Sequence, residues 1–232
     1  MVSIIIPIRR GENITKLLDY IHKSYYKDYE IIVVDEGLER SRQRNIGINR
    51  AKGEYILILD SDQYPSKLLL GECVELMKQD WDALYIPELI ITDGWFAQIR
   101  NWERQFYNGT PIDCVRFVRN NYCPYFDETM SGPEDSDWDR RVRGDRTITE
   151  NRFYHNDNVG LVDYFKKKAY YSESMERFEF KNPNDKVLNF WWRCFGVFFE
   201  EGKWRRVLKA PHLFICVMLI IFIRGIIYLV KK

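Results

Sequence analysis

Two aspartates separated by one residue are the clearest chemical signal in this chain. Asp60 and Asp62 directly follow an apolar run, Tyr55 to Leu59. Two carboxylates at this spacing can hold a hard divalent cation such as Mn²⁺ or Mg²⁺, and a bound cation in turn neutralises a diphosphate. Turns are also rich in Asp for purely local reasons. The pair therefore indicates a metal site only if its surroundings support one.

A second acidic cluster lies at Gly132–Arg140 (GPEDSDWDR), where the sequence predicts a helix over 134–142. Acidic residues in the first turn of a helix are favoured by its dipole, which would explain the cluster without any chemistry. His155 follows an apparent strand over 146–154, and Lys166–Lys168 lie within a predicted amphipathic helix over 159–180. A lone His is more often structural than functional, and a lysine run is usually a solvated face.

The elements that would position these residues alternate along the chain. Val2 to Ile6, Glu30 to Val34 and Tyr55 to Leu59 are apolar runs typical of buried strands, and helical spacing of apolar residues lies between them. Strand and helix alternating in this way predict a parallel sheet with right-handed crossovers. Ligands bind such sheets at the carboxyl ends of the strands, where both Asp35-Glu36 and Asp60-Ser61-Asp62 lie.

Four motifs follow one another over the first 62 residues: Val2–Pro7 (VSIIIP), Glu30–Asp35 (EIIVVD), Arg44–Gly47 (RNIG) and Gly53–Asp62 (GEYILILDSD). In this order and spacing they resemble the nucleotide-binding half of a family 2 glycosyltransferase. The resemblance implies an α/β protein of GT-A fold, with a Rossmann-like, mostly parallel sheet flanked by helices. It also implies a nucleotide-sugar donor and inversion at the anomeric carbon.

The resemblance assigns roles to single residues. The acid after the second strand reads the base or ribose, and the Arg-Asn pair lies near the diphosphate. The run Lys166–Tyr171 (KKKAYY) resembles a Lys-Lys-x-Tyr-Tyr pattern in membrane-attached relatives, which suggests that its lysines contact the diphosphate or lipid headgroups. The donor-binding residues implied are Pro7, Asp35, Glu36, Arg44, Asp60 and Lys168. The chain departs from the family at Ile8-Arg9-Arg10 and at Asp35-Glu36-Gly37-Leu38, where the family commonly has Asp-Asp-Gly-Ser, which bears on base recognition and not on the fold.

The same resemblance implies the metal ligands and the catalytic base. Asp60 and Asp62 would bind Mn²⁺ or Mg²⁺ with the diphosphate, and His155 resembles a His that can touch the metal or the donor phosphates. Asp135 corresponds to the general base of the family's Glu-Asp signature, with Asp137 as the second candidate. A base must lie within hydrogen-bond reach of the hydroxyl that it deprotonates.

Composition narrows the class of protein. Lys and Arg number 35 against 34 Asp and Glu, a balance that excludes a nucleic-acid binder relying on overall positive charge. The 5 cysteines are odd in number and none forms a C-x-x-C pair, which argues against a disulfide framework or a zinc site.

The C-terminal segment predicts attachment to a membrane. Leu213 to Val230 is almost uninterrupted apolar sequence, and at about 1.5 Å per residue it is just long enough to cross a bilayer core of about 30 Å. We expect Arg224 to snorkel toward Lys231 and Lys232. The chain then divides into a catalytic domain (1–181), an amphipathic membrane-interface region (182–210) and a transmembrane helix (211–232). The alternative is a buried core helix.

The resemblance and the C-terminal segment together imply transfer of a sugar to a lipid-linked acceptor at the cell membrane, with GDP-mannose the first choice of donor and a UDP-sugar the second. The catalytic domain would face the cytoplasm, where sugar nucleotides are found. Small domains with a membrane tail resemble mannosyltransferases of glycan-lipid assembly and dolichol-phosphate mannose synthases. The enzymatic alternative is therefore a polyprenyl-phosphate sugar synthase, which needs no base. A non-catalytic nucleotide-binding module and a receiver-like signalling domain are the alternatives from other classes.

Overall fold

A computed structural model describes residues 1–231, and position 232, the last of the predicted membrane segment, lies outside the described residues. The strands are β1 (Val2–Pro7), β2 (Tyr29–Val34), β3 (Tyr55–Ile58), β4 (Gln63–Pro65), β5 (Ala83–Tyr85), β6 (Glu88–Ile90), β7 (Phe117–Arg119), β8 (Arg146–Ile148) and β9 (Phe153–His155). The helices are α1 (Thr15–His22), α2 (Arg40–Arg50), α3 (Leu69–Met77), α4 (Trp95–Arg104), α5 (Glu134–Arg141), α6 (Leu161–Ser172), α7 (Met175–Lys181), α8 (Val197–Phe199), α9 (Trp204–Lys209) and α10 (Pro211–Lys231).

The main sheet has six strands in the order β2-β1-β3-β7-β5-β8. β1 pairs in parallel with β2 and β3, as the alternating pattern predicts, whereas β7 runs antiparallel to β3 and β5. Helix α2 packs directly on β1, because a Cβ at Gly47 would come within 2.3 Å of the Ile5 side chain. The α/β fold class is confirmed.

A second sheet of three strands, β4-β9-β6, lies beyond the carboxyl end of β3. Its register pairs Gln63 with His155. His155 is therefore brought beside the turn Asp60-Ser61-Asp62 that follows β3, called the acidic turn below. The single strand predicted over 146–154 is wrong. This stretch forms two strands, β8 and β9, which belong to different sheets. The chain turns between them, where the Thr149 hydroxyl donates to the Tyr85 and Asn151 carbonyls.

A second apolar core joins α4, α6 and α7 to the segments over 187–221. Phe106, Tyr164, Phe178 and Phe198 contribute to it, and all are buried. The predicted single helix over 159–180 is wrong, since α6 ends at Ser172 and α7 begins at Met175. A π-helical segment, Trp192–Gly196, leads into α8, and short 3₁₀ turns cover 120–122, 186–188 and 200–202.

Helix α10 is long and apolar enough to cross a membrane, with a mean hydropathy of 2.8 over Pro211–Val230. One side of it contacts α4 and α6, and Val217, Ile220 and Ile221 are buried there. Arg224 does not snorkel toward the helix end as predicted. It forms an ion pair with the buried Glu103 of α4. Opposite charges attract more strongly in a poorly hydrated setting than in water, so this pairing is favoured over contact with solvent at the helix end.

Candidate active site

The carboxyl ends of β1, β2 and β3 meet at one edge of the main sheet. Pro7 is paired with Val34, so the loop after β1 runs beside Asp35, the first residue after β2. The turn that carries Asp60 and Asp62 follows β3 on the other side of β1. Parallel pairing thus gathers at one edge the acids that are up to 27 residues apart in sequence, as expected for an open α/β sheet.

Arg44 is the centre of the site. It lies on α2, is fully buried, and divides its guanidinium between two carboxylates: Nη2 lies 2.9 Å from Asp60 Oδ1, and Nη1 donates to Asp135 Oδ1. Its cation also lies 5.0 Å from the centre of the Phe126 ring. The structure therefore joins the predicted metal ligand Asp60 to the predicted base Asp135 through one predicted donor-binding residue.

A second arginine, Arg116, faces the same two acids and was missed by sequence reasoning. Its Nη1 is 3.7 Å from Asp60 Oδ2, and its Nη2 is 3.7 Å from Asp135 Oδ2. Burial alone would raise the pKa of Asp60, but the charges of Arg44 and Arg116 outweigh it and hold that pKa below its usual range. No motif surrounds Arg116 in the sequence, and only the pairing of β7 with β3 brings it here.

His155 bridges the acidic turn and a buried glutamate. Its Nε2 lies 3.3 Å from Asp62 Oδ2, and its Nδ1 lies 3.4 Å from Glu88 Oε2. Burial would lower the pKa of His155, yet the hydrogen bonds to the two carboxylates raise it to about 9. Glu88, also missed by the sequence, is fixed in turn by Gln63 Nε2 at 2.7 Å and by Arg104 at 3.1 Å.

The nucleotide side of the edge is more open. Asp35 and Glu36 are both exposed, and Glu36 accepts two 2.9 Å hydrogen bonds from Arg50. Gln43 of α2 ties the loops after β1 and β2 together through the carbonyls of Ile8 at 2.8 Å and Gly37 at 3.3 Å. Asp35 is thus left accessible beside Pro7 for a ligand group.

Asp135 and Asp137 of α5 face different partners. Asp135, with 26% of its side chain exposed, faces Arg44 and Arg116, whereas Asp137 is buried between Arg141 at 2.8 Å and Lys181 at 3.3 Å. The structure therefore brings Asp135, and not Asp137, to the acidic turn.

Helix α6 closes the α5 side of the site. Tyr171 accepts a 2.8 Å hydrogen bond from Arg40, which also lies 3.9 Å from Glu134. Tyr171 packs so closely on Gly132 that a Cβ there would approach it to 2.4 Å. Lys168, one turn earlier, is not among the residues that contact the acids; its Nζ lies 5.8 Å from the Tyr171 ring centre, and its predicted donor contact stays a prediction.

The residues of the acidic turn fit a divalent cation whose remaining ligands would come from the substrate. Asp62 has 49% of its side chain exposed, and its carboxylate oxygens are hard ligands. Within residues 1–231 no three His, Cys, Asp or Glu side chains form a set that could hold a metal ion by themselves. Mg²⁺ commonly binds through one or two carboxylates plus substrate phosphates, so a donor diphosphate would supply the missing ligands.

The sheet order and the acidic turn at its carboxyl edge define the GT-A fold. Residues 36–126 match the sequence model described as Glycosyl transferase family 2, a stretch that includes Arg44, the acidic turn and Arg116. Over this stretch the chain is therefore similar to glycosyltransferase family 2.

The chain is 31% identical to Glycosyltransferase GlyG from Streptococcus pneumoniae serotype 4, over 36% of this chain and 36% of that protein. It therefore spans about a third of the length of that relative.

Solved structures share the fold at low sequence identity. The S. aureus TarS fragment 1–349 in complex with UDP-GlcNAc is 16% identical, with a TM-score of 0.56 over 90% of this chain and 79% of that one. The mannosyltransferase PcManGT from Pyrobaculum calidifontis, in complex with GDP-Man and Mn²⁺, is 15% identical, with a TM-score of 0.59 over 91% of this chain and 73% of that one.

Proposed function

We propose that this chain is an inverting, metal-dependent glycosyltransferase that moves a sugar from a nucleoside-diphosphate donor to a hydroxyl of a lipid-linked acceptor. The single observation that carries the proposal is Arg44, which holds Asp60 and Asp135 to one guanidinium. One acid suits the donor diphosphate and its cation, and the other suits the acceptor. Because both acids contact Arg44, the proposed donor-binding group and the proposed base lie next to each other.

In the reaction, the acceptor hydroxyl oxygen forms a bond to the anomeric carbon while the bond from that carbon to the donor phosphate breaks. The hydroxyl proton passes to Asp135, and the electron pair of the broken bond leaves with the nucleoside diphosphate. Arg44 and Arg116 stabilise the negative charge that develops on the diphosphate. Inversion follows, because a single displacement without a covalent intermediate attacks the face opposite the leaving group.

Asp60 and Asp62, with His155 beside them, would hold Mn²⁺ or Mg²⁺, which neutralises the donor diphosphate when bound. Asp60 also forms ion pairs with both Arg44 and Arg116. A diphosphate that enters beside Asp60 competes for the same guanidinium groups. Donor binding would then weaken the hold of Arg44 on Asp135 and leave that carboxylate ready to accept a proton.

The donor is proposed as GDP-mannose first and a UDP-sugar second. Both donor classes occur in structures that share the fold, GDP-Man in PcManGT and UDP-GlcNAc in TarS. The open nucleotide side, where Asp35 is exposed beside Pro7, would receive the base and ribose.

A location at the cell membrane, with the catalytic domain facing the cytoplasm, is proposed from α10 and the residues before it. The face of α10 directed away from the domain is apolar and exposed, with Leu219, Phe222 and Ile226 among its residues. Trp191 and Trp204 are also exposed, and tryptophan is enriched at membrane interfaces. The crossing of a bilayer by α10 stays a prediction, since one side of the helix is covered by α4 and α6.

The experiment is a transfer assay with the purified full chain and Mn²⁺. Labelled GDP-mannose and, separately, labelled UDP-GlcNAc are offered with a lipid extract, and label is counted in the organic phase. Label that requires Mn²⁺ and vanishes in Asp62→Ala supports the proposal, and the mass of the product identifies the acceptor. Absence of label with either donor, in protein that binds neither nucleotide, refutes it.

A further inference from the structure

Four basic side chains gather where α4, α6 and α10 meet the π-helical segment. They are Arg100, Lys168, Arg193 and Arg224, one from each element. Two carboxylates compensate two of them: Asp157 lies 2.5 Å from Arg100, and Glu103 is paired with Arg224. The cluster therefore carries more positive than negative charge.

Lys168 and Arg193 supply the excess. Among residues 1–231, no carboxylate lies within salt-bridge distance of either side chain. Arg193 Nη1 donates a long 3.4 Å hydrogen bond to the Val187 carbonyl, and Lys168 Nζ lies 5.4 Å from the centre of the Tyr164 ring. Both side chains are only partly exposed to solvent, so water compensates their charges incompletely.

The positive charges of Lys168 and Arg193 are opposed by Arg224, and Glu103 offsets them only in part. Burial, followed by the charges of Arg224 and Arg193, lowers the pKa of Lys168 to about 7. Burial and the charge of Arg224 also lower the pKa of Arg193. Neither group is a predicted metal ligand. An anion placed among these side chains would relieve the repulsion and restore the full charge of the lysine.

The cluster lies between the acidic turn and the apolar surface. On one side, Asp157, the partner of Arg100, is two residues from His155. On the other side, Arg193 is flanked in sequence by Trp191 and Phe195, which are exposed, and Arg224 lies on α10, whose outward face is apolar. A ligand with an anionic head and a long hydrocarbon tail matches this order of charge and apolar surface.

We propose that Lys168, Arg193 and Arg224 bind the phosphate of a phosphate-bearing lipid whose hydrocarbon chain lies along the exposed apolar surface of α10 and the π-helical segment. This deepens the proposed function, on which it rests, because it names the part of the acceptor held outside the reaction centre. A free phosphate would use the charges and leave the apolar surface without a role. The lipid phosphate is therefore the favoured source of the anion.

Calorimetric titration of the purified full chain in a neutral detergent tests the proposal. Farnesyl phosphate, farnesol and inorganic phosphate are titrated in separate arms, with no donor and no metal present. We expect saturable binding of farnesyl phosphate that is at least tenfold tighter than that of either other probe. Equal binding of inorganic phosphate overturns the lipid assignment, and absence of farnesyl phosphate binding overturns the site.

Three variants locate the binding. Arg193→Gln should weaken farnesyl phosphate binding by about tenfold or more, the usual loss for one charge-assisted hydrogen bond, whereas Arg193→Lys should weaken it less. Lys166→Gln is the matched control, since it removes one exposed positive charge from α6 outside the cluster. Thermal unfolding of each variant shows that it is folded. Unchanged binding in folded Arg193→Gln contradicts the proposal.

These outcomes are separable from those of the proposed function. Lipid-phosphate binding without sugar transfer would leave the site standing and overturn the proposed reaction. Transfer to a lipid acceptor by a chain that does not bind farnesyl phosphate would overturn the site and leave the reaction standing.

Discussion

Replacing Asp135 by Asn tests the central assignment with little change in shape. The amide cannot accept the acceptor proton, and a general base contributes about 10²- to 10⁴-fold to a rate. The transfer rate should fall by that factor, which corresponds to about 3 to 5 kcal/mol of transition-state stabilisation. Fold and donor binding should survive, because the buried Arg44 keeps Asp60 as a partner at 2.9 Å.

The stability change can be worked from the same contacts. Removing one partner of a buried ion pair costs about 3 to 5 kcal/mol when the other charge is left unpaired. Asp135 is 26% exposed and shares Arg44 with Asp60, so we expect Asp135→Asn to lower the free energy of unfolding by only about 1 kcal/mol, the usual net worth of a hydrogen bond. The rate loss would then greatly exceed the stability loss.

The assay is single-turnover transfer of labelled sugar to the lipid acceptor, with donor affinity and thermal unfolding measured on the same preparations. Asp137→Asn is the matched comparison on the same helix. Its carboxylate is buried beside Arg141 and Lys181, so it should cost stability and leave the chemical step largely intact. A full rate in Asp135→Asn would refute the base and favour an anionic phosphate acceptor. A rate lost only in Asp137→Asn would assign the base there.

Three further outcomes are expected. Asp62→Ala should lose Mn²⁺-dependent transfer, which a metal titration of the rate checks, and activity that stays metal-dependent would contradict its role as a ligand. Gly47→Ala should destabilise the fold by about 1 to 3 kcal/mol, because its Cβ would overlap an isoleucine of β1, whereas Gly160→Ala meets no atom within 4 Å and should not; denaturant unfolding compares the two. On α10, Phe222→Asp should reduce sedimentation with phosphatidylcholine vesicles, since that side chain is 66% exposed, while Ile220→Asp, at 5% exposure, should instead unfold the domain. Equal vesicle binding by folded Phe222→Asp would remove the proposed membrane face.

The apolar strands and the order of their motifs were readable from the sequence, because buried parallel strands require continuous runs of β-branched residues. The acids after β2 and β3 were predictable for the same reason, since parallel strands must end at a common edge. Helix α10 was also readable as an element. Its strong apolar composition does not depend on which neighbours it meets.

Element boundaries in the second half were harder to read. A continuous pattern over 146–154 concealed a change of sheet, and the pattern over 159–180 concealed the break between Ser172 and Met175. Both patterns have local periods compatible with one element. The turn between β8 and β9 is fixed instead by bonds from Thr149 and from residues distant in the chain, such as Glu72, which accepts from the Glu150 backbone.

The sequence by itself determined the three parallel strands β1 to β3, the acidic turn and the residue types available for chemistry. Only the tertiary structure decided which charges meet. Arg44 and Asp135 are 91 residues apart, Arg116 and Glu88 belong to no motif, and Arg224 finds Glu103 across 121 residues. The physical reason is that strand periodicity is a local property of the chain, whereas an ion pair depends on the packing that brings two distant side chains into one weakly hydrated place.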